Sequence, residues 1–197
     1  MSVKSLPLFP LSSIVMPSGR LPLRIFEPRY LTMVKDCLKS DTGFGICLSA
    51  DGRETSSSGQ IYPYGTLIKI VDWDMDESGL LLIVTEGVQK LRTISSSLSD
   101  TGLLLGDIEL LPIEEKSVIP TEFQGLAELL QRALDNMGPL LDYTEADFTD
   151  AVWVGGRLVE LLPMSSEVRH ELISMSDPVD RLRVLQNFIN DEENWQG

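Results

Sequence analysis

The side chains able to do chemistry are densest in one short run, Arg24-Ile25-Phe26-Glu27-Pro28-Arg29-Tyr30. Glu27, a carboxylate between the guanidinium groups of Arg24 and Arg29, can bridge both, while Phe26 and Tyr30 offer apolar surface to an extended peptide. The same residues can also serve structure alone. A fixed Arg–Glu pair with two aromatics at a strand-to-helix corner would pin the first helix, and buried paired charges more often specify geometry than bind ligands. Elsewhere the chemistry is sparse. The one histidine, His170, sits between Arg169 and Glu171 opposite the apolar pair Val168 and Leu172, with no second His or Cys near it in sequence. A metal site or a triad needs partners, so His170 reads as a solvated helix residue. Asp72 and Asp74 alternate onto one strand face, as the acid and base of a hydrolase would, but no nucleophile accompanies them and they read as a solvated rim. Cys37 and Cys47 belong to no Cys or His cluster and read as reduced core thiols. The phosphate-cradling pattern G-x-x-x-x-G-K-[ST] does not occur, and Gly43-Phe44-Gly45 is a strand glycine pair with no helix signal after it. No catalytic residue, metal ligand or cofactor is therefore expected, and neither binding nor hydrolysis of ATP.

The elements that must position these residues begin with a stretch, Leu6 to Tyr30, that holds five of the 11 prolines. Pro7, Pro10, Pro17 and Pro22 each remove a backbone donor, which excludes a helix and a regular central strand. The stretch reads as two extended pieces, LPLFPL and RLPLRIF, joined by a turn at Pro17-Ser18-Gly19. Pro28 then opens a helix of about three turns whose apolar stripe is Leu31, Val34 and Leu38. From Gly43 to Pro112 the signals are β: GFGICLS, a Ser-rich loop from Glu54 to Gln60, then TLIKIVDWD, LLLIVTEG, VQKLRTI and LLLGDIELLP. Asp76 to Gly79 and Asp100 to Gly102 mark turns of an antiparallel meander, and Gly87 marks a tight bend or bulge. Strands apolar on both faces suit a closed or strongly coiled barrel partly covered by the helix and by a second domain.

Beyond Pro120 the period changes from 2 to 3.6. Phe123, Leu126, Leu130, Ala133, Leu134 and Met137 form one stripe, stopped by Gly138-Pro139. Phe148, Val152, Gly155, Val159 and Leu162 form another, opened by Thr144-Glu145-Ala146-Asp147 in the manner of a capping box and stopped by Pro163. Val168, Leu172 and Met175 mark a third helix capped near Ser165 or Ser166. Asp177-Pro178 starts a fourth, with Val179, Leu182, Leu185 and Ile189 inward, before an acidic tail, Asn190 to Gly197, that is read as fraying. Four helices with short breaks make a small bundle. The joint falls at Ile113 to Thr121, where Glu, Lys, Ser and Pro concentrate.

Composition sets the outer bounds. With 197 residues and 43% hydrophobic content the chain can bury a core without disulfides. Its longest apolar runs are too short to span a bilayer and no leader-like region succeeds Lys4, so a cytoplasmic protein is expected. The net charge of −14 is unevenly spread. Residues 1–113 hold 10 Lys and Arg against 13 Asp and Glu, a net −3, and residues 114–197 hold 6 against 17, a net −11. An acidic chain disfavours nucleic acid, which needs a basic face to release counterions. Residues 1–40 carry six basic residues against two acidic ones, which keeps RNA binding as the alternative.

The motifs LPLFPL, LPLRIFEPRY, YPYGT (Tyr62 to Thr66) and EGVQKLRTI (Glu86 to Ile94) resemble, in order and spacing, the N-terminal domain of the Lon protease family. LLPMSSEVRHELISMSDPVDRLRVL, Leu161 to Leu185, resembles the helical part of the stand-alone bacterial proteins of that family. The resemblance covers nearly the whole chain and stops before either enzymatic domain of a full-length Lon protease would begin. It implies an α+β fold: a PUA-like, mostly antiparallel β pseudobarrel with one helix over residues 1–113, then a four-helix bundle over residues 114–197. It also implies non-enzymatic binding of unfolded or extended polypeptides as a substrate-recognition domain, with a protease or chaperone as a candidate partner. The candidate peptide-binding residues are Arg24, Phe26, Glu27, Arg29 and Tyr30. A groove between barrel and bundle, lined by Trp73 or Trp153, is the second candidate surface, although each Trp reads first as core.

Overall fold

Pro, Gly and Asp residues punctuate the apolar runs, and the computed structural model, which describes residues 4–50, 60–77, 79–137 and 146–195, breaks its elements at those points. Six strands and five helices occur in this order: β1 (Lys4–Leu11), β2 (Arg20–Ile25), α1 (Pro28–Ser40), β3 (Phe44–Ser49), β4 (Ile61–Met75), β5 (Leu81–Leu98), β6 (Leu104–Leu110), α2 (Gln124–Met137), α3 (Ala151–Leu161), α4 (Ser166–Ser174) and α5 (Pro178–Trp195). The fold is α+β. The chain divides into two compact units, Met1–Ile113 and Glu114–Gly197. Most of the Ser-rich loop, the Gly138-Pro139 stop, and Thr144 and Glu145 of the capping motif lie outside the described residues.

In the first unit the strand order is β2-β5-β4-β3-β1-β6, and β6 also pairs with β5, so five strands close on themselves with β2 as a flank. All pairings are antiparallel except β1 with β3. What reads in sequence as two strands around Gly87 is one strand, β5, with a bulge: Leu67 opposes Gln89 while Ile68 opposes Gly87, which leaves Val88 extra. Leu81 to Glu86 of β5 pair with β2, and Leu91 to Leu98 pair with β6. Gly87 is where the loop before β2 crosses. It donates to the Gly19 carbonyl at 2.8 Å and accepts from Ser18 N at 2.8 Å, and a Cβ there would stand 2.2 Å from the Met16 carbonyl oxygen. Only glycine admits so close a backbone.

β1 corrects one expectation. Despite Pro7 and Pro10 it lies between two strands, but each half is paired on one side only: Lys4 to Leu8 with β6, and Leu8 to Leu11 with β3. A staggered strand of this kind leaves free edges at which a missing N–H costs nothing.

Strand alternation sends Leu8 inward, with Cys47, Leu91, Leu104 and Ile108, and Phe9 outward beneath α1, with Tyr30, Met33, Val34, Cys37, Phe44 and Ile83. Pro28 occupies the first turn of α1, and Asp41 ends it in a left-handed conformation, φ 51°. Its buried face is Tyr30, Met33, Val34 and Cys37, whereas Leu31 and Leu38 of the expected stripe are exposed. At 100° per residue, the Tyr30, Met33 and Cys37 that a purely aliphatic count omits are enough to turn the face.

In the second unit Asp150, not the Thr144 motif, caps α3, accepting from Val152 N at 3.0 Å. α3 is buried nearly all round: Trp153, Val154 and Leu158 lie inside as well as Gly155 and Val159 of the expected stripe. Ser165 caps α4. Asp177 accepts from Val179 N at 2.7 Å and Asp180 N at 3.1 Å, and α5 continues through the acidic tail to Trp195. Two arginines that a stripe count omits are fully buried. Arg181 forms a bidentate pair with Glu114 and donates to the Leu172 and Met175 carbonyls at 3.2 and 3.0 Å. Arg157 reaches both carboxylate oxygens of Glu160 at 2.7 and 3.0 Å. Within the second unit Glu114 is held by Arg181, Ser117 O accepts from Ala151 N at 2.7 Å, and Ile119 N donates to Thr149 O at 3.1 Å.

Candidate functional site

The sequence run Arg24 to Tyr30 is split by the end of β2 and the start of α1, and the split decides what each residue can do. Tyr30 is 2% exposed, its ring 4.1 Å from that of Phe9, and burial raises its hydroxyl pKa. Arg29 stands 4.7 Å over the Tyr30 ring, pairs with Glu27 at 2.8 Å, and donates to the Gly102 carbonyl at 2.7 Å. Glu27, Arg29 and Tyr30 thus fasten the start of α1 to the β5–β6 hairpin. Glu27 bridges to Arg29, while Arg24 lies exposed on β2. Phe26, one residue past Ile25, is 67% exposed.

Phe26 has neighbours of its own kind. The ladders set Ile25 against Leu81 and Leu81 against Met75, so the end of β2 and the tip of the β4–β5 hairpin share one end of the sheet. At that tip Trp73 and Met75, 56% and 58% exposed, alternate with Asp72 and Asp74. Trp73 is therefore surface, not core; Trp153 is buried, edge-on to Phe148 at 5.2 Å. Asp72 and Asp74 are exposed and accept from the next residue's backbone N at 2.9 and 2.8 Å, which is rim behaviour. The alternation VDWDM beside a turn was the signal that could have exposed this surface in the sequence. Across the same three strands Glu86 joins Arg20 at 3.2 Å and Lys69 at 2.8 Å, a cluster that only the registers reveal. Lys69 first, and Arg20 after it, hold the Glu86 carboxyl below its usual range against an opposing effect of burial.

The remaining candidates are structural. His170 is half-buried where full solvation was expected, and burial lowers its pKa. Cys37 and Cys47 are buried free thiols; burial pushes Cys47 up to about 12. Among the described residues no group of three or more His, Cys, Asp or Glu could hold a metal ion, and no helix is long and apolar enough to cross a membrane.

The family model described as the ATP-dependent protease La (LON) substrate-binding domain matches residues 5–191, and the chain belongs to that family. The Lon protease of Dictyoglomus thermophilum is 24% identical over 195 residues, 95% of this chain and 24% of that protein. That of Anaeromyxobacter dehalogenans is 21% identical over 196 residues, 94% of this chain and 23% of that protein. The chain thus spans about a quarter of the Lon proteases it matches. Among solved structures, a Lon N-terminal domain protein from Xanthomonas campestris shares 35% identity with a TM-score of 0.76, covering 93% of this chain and 98% of that one. The N-terminal domain of Mycobacterium avium complex Lon protease shares the fold at 17% identity, with a TM-score of 0.65 over 95% and 99% of the two chains.

Proposed function

We propose that this chain is a non-enzymatic recognition module that binds extended polypeptide segments rich in hydrophobic and basic residues at the sheet end carrying Phe26, Trp73 and Met75. The observation that carries the reading is three large apolar side chains, each more than half exposed, at one end of one sheet, with the exposed carboxylates of Asp72 and Asp74 alternating with two of them along β4. Exposed apolar surface rimmed by charge is what recognition sites use, and the carboxylates select for basic residues in the client. Arg24 and Phe26 contribute surface in this reading, and Glu27, Arg29 and Tyr30 hold the corner that presents it. A flexible client loses ordering entropy on binding, so affinity is on the order of micromolar or weaker.

The test pairs peptide titration with melting. Phe26→Ala and Trp73→Ala should each weaken binding of a hydrophobic, basic peptide severalfold at a nearly unchanged thermal midpoint, whereas Tyr30→Ala should cost about 3–5 kcal/mol of stability. Unaltered affinity in both folded surface variants would retire the site.

A further inference from the structure

We propose that the cleft between the first half of β1 and α1 takes an extended polypeptide segment as an added β-strand alongside Lys4 to Leu6. This rests on the polypeptide-binding reading above and gives it a second site, one that reads main chain instead of side chains. β3 starts at Phe44, which the register of Leu8 with Gly45 sets beside Pro7, so among the described residues the β3-side edge of β1 has no strand beside Lys4 to Leu6. On the other edge those residues pair with β6. Bonded groups alternate along a strand, and Pro7 has no N–H to give. A β6 ladder bonded through Lys4, Leu6 and Leu8 loses nothing to the proline and leaves Ser5 N–H and Ser5 C=O on the free edge, the Pro7 C=O on that side being the acceptor that the parallel Leu8–Gly45 pair uses.

Next to that edge the chain leaves space. The cleft, about 420 Å³, is bounded by Ser5 to Pro7, by one flank of α1, and by the Thr42-Gly43 turn. Gly43 keeps that turn tight, since a Cβ there would stand 1.8 Å from the Ile68 carbonyl oxygen. The space is where β3 would run had it begun a few residues earlier. Three residues of strand extend about 10 Å, room for two main-chain hydrogen bonds, both to Ser5.

The α1 wall adds selectivity. Thr32 Oγ1 donates to the Pro28 carbonyl at 3.0 Å, Ser40 Oγ donates to the Asp36 carbonyl at 2.7 Å, and Thr42 Oγ1 lies 2.9 Å from Ser40 Oγ. With their protons committed, these hydroxyls and the Asp36 carboxylate face the cleft as acceptors. Arg29 at the other end is already held by Glu27 and the Gly102 carbonyl. The occupant is therefore a segment in strand conformation with small or apolar side chains over Leu6 and Met33 and a lysine or arginine near Asp36.

The experiment uses the full chain, labelled for amide NMR, and a blocked peptide of alternating valine and lysine, with a control N-methylated at alternate amides. Binding should shift the Ser5 amide and slow its exchange. Ser5→Pro, which removes a donor on the free edge, and Thr32→Trp, which fills the cleft from a helix surface and covers the case that the proline variant does not fold, should each weaken binding about tenfold, as should N-methylation of the peptide. Asp36→Lys should shift preference to a third peptide, of alternating valine and glutamate. Equal binding of the methylated peptide overturns strand addition. So does binding lost in Phe26→Ala and Trp73→Ala but untouched by Thr32→Trp, while leaving the polypeptide reading in place; no binding of either peptide to the unaltered chain overturns both. Dimerisation without peptide, abolished by Ser5→Pro, would assign the edge to a second copy and also overturn the proposal.

Discussion

Replacing Glu114 by alanine tests the reading of the buried Arg181. The guanidinium is fully buried and Glu114 is 9% exposed at its side chain, so the pair is screened little by solvent. Alanine leaves the charge with the Leu172 and Met175 carbonyls as its acceptors. These accept hydrogen bonds but carry no compensating charge, and removing one partner of a buried pair costs about 3–5 kcal/mol. In a unit of this size, residues 114–197, that lowers the thermal midpoint by on the order of 15 °C. Arg181→Met on top of Glu114→Ala removes the stranded charge, so the double variant should be more stable than the single one although it lacks more interactions. Urea unfolding of the full chain, monitored by tryptophan fluorescence, measures all four proteins: the unaltered chain, Glu114→Ala, Arg181→Met and the double variant. A Glu114→Ala cost below about 1 kcal/mol, or a double variant that loses the full sum of the singles, would refute the reasoning.

Three further outcomes concern the first unit. Gly87→Ala forces the β5 bulge away from the Met16 carbonyl and should cost about 1–3 kcal/mol or more in urea unfolding, because the obstructing atom is backbone and cannot rotate aside. Glu86 titrates lower in the folded than in the unfolded chain, so its contribution is present above the ordinary glutamate range and is lost as pH falls through the lowered folded value; Glu86→Gln should flatten the acid limb of a stability–pH curve and leave the neutral limb parallel to it. Cys47, wholly buried with its pKa raised to about 12, should react with a thiol reagent at pH 8 only as fast as the chain opens, so the rate should rise with urea in step with unfolding.

Local signals were legible in the sequence and non-local ones were not. Pro28, Ser165 and Asp177-Pro178 marked helix starts correctly because a cap is settled by residues within one turn. Gly87 announced a bulge for the same reason. The insertion of β1 between β3 and β6 was hidden, since its partners lie 37 and about a hundred residues away and nothing in LPLFPL names them. Nothing local marks Arg181 as buried, because its partner is 67 positions off. Of the candidate site, the composition of the run Arg24 to Tyr30 was visible, but its division into a holding part and a presenting part depends on Phe9 and Gly102, and the contribution of Trp73 and Met75 depends on register.

The stagger of β1 also orders events in time. Synthesis delivers Lys4 to Leu11 before either of their partners: the strand that pairs with their second half begins at Phe44, and the one that takes their first half begins at Leu104. During that interval this part of the nascent chain is an unpartnered apolar strand, the kind of segment that aggregates. Pro7 and Pro10 each delete a donor from it, on opposite edges. A strand so interrupted is a poor template for a neighbouring nascent chain and still a sufficient one for its own β3 and β6, each of which needs only half of it.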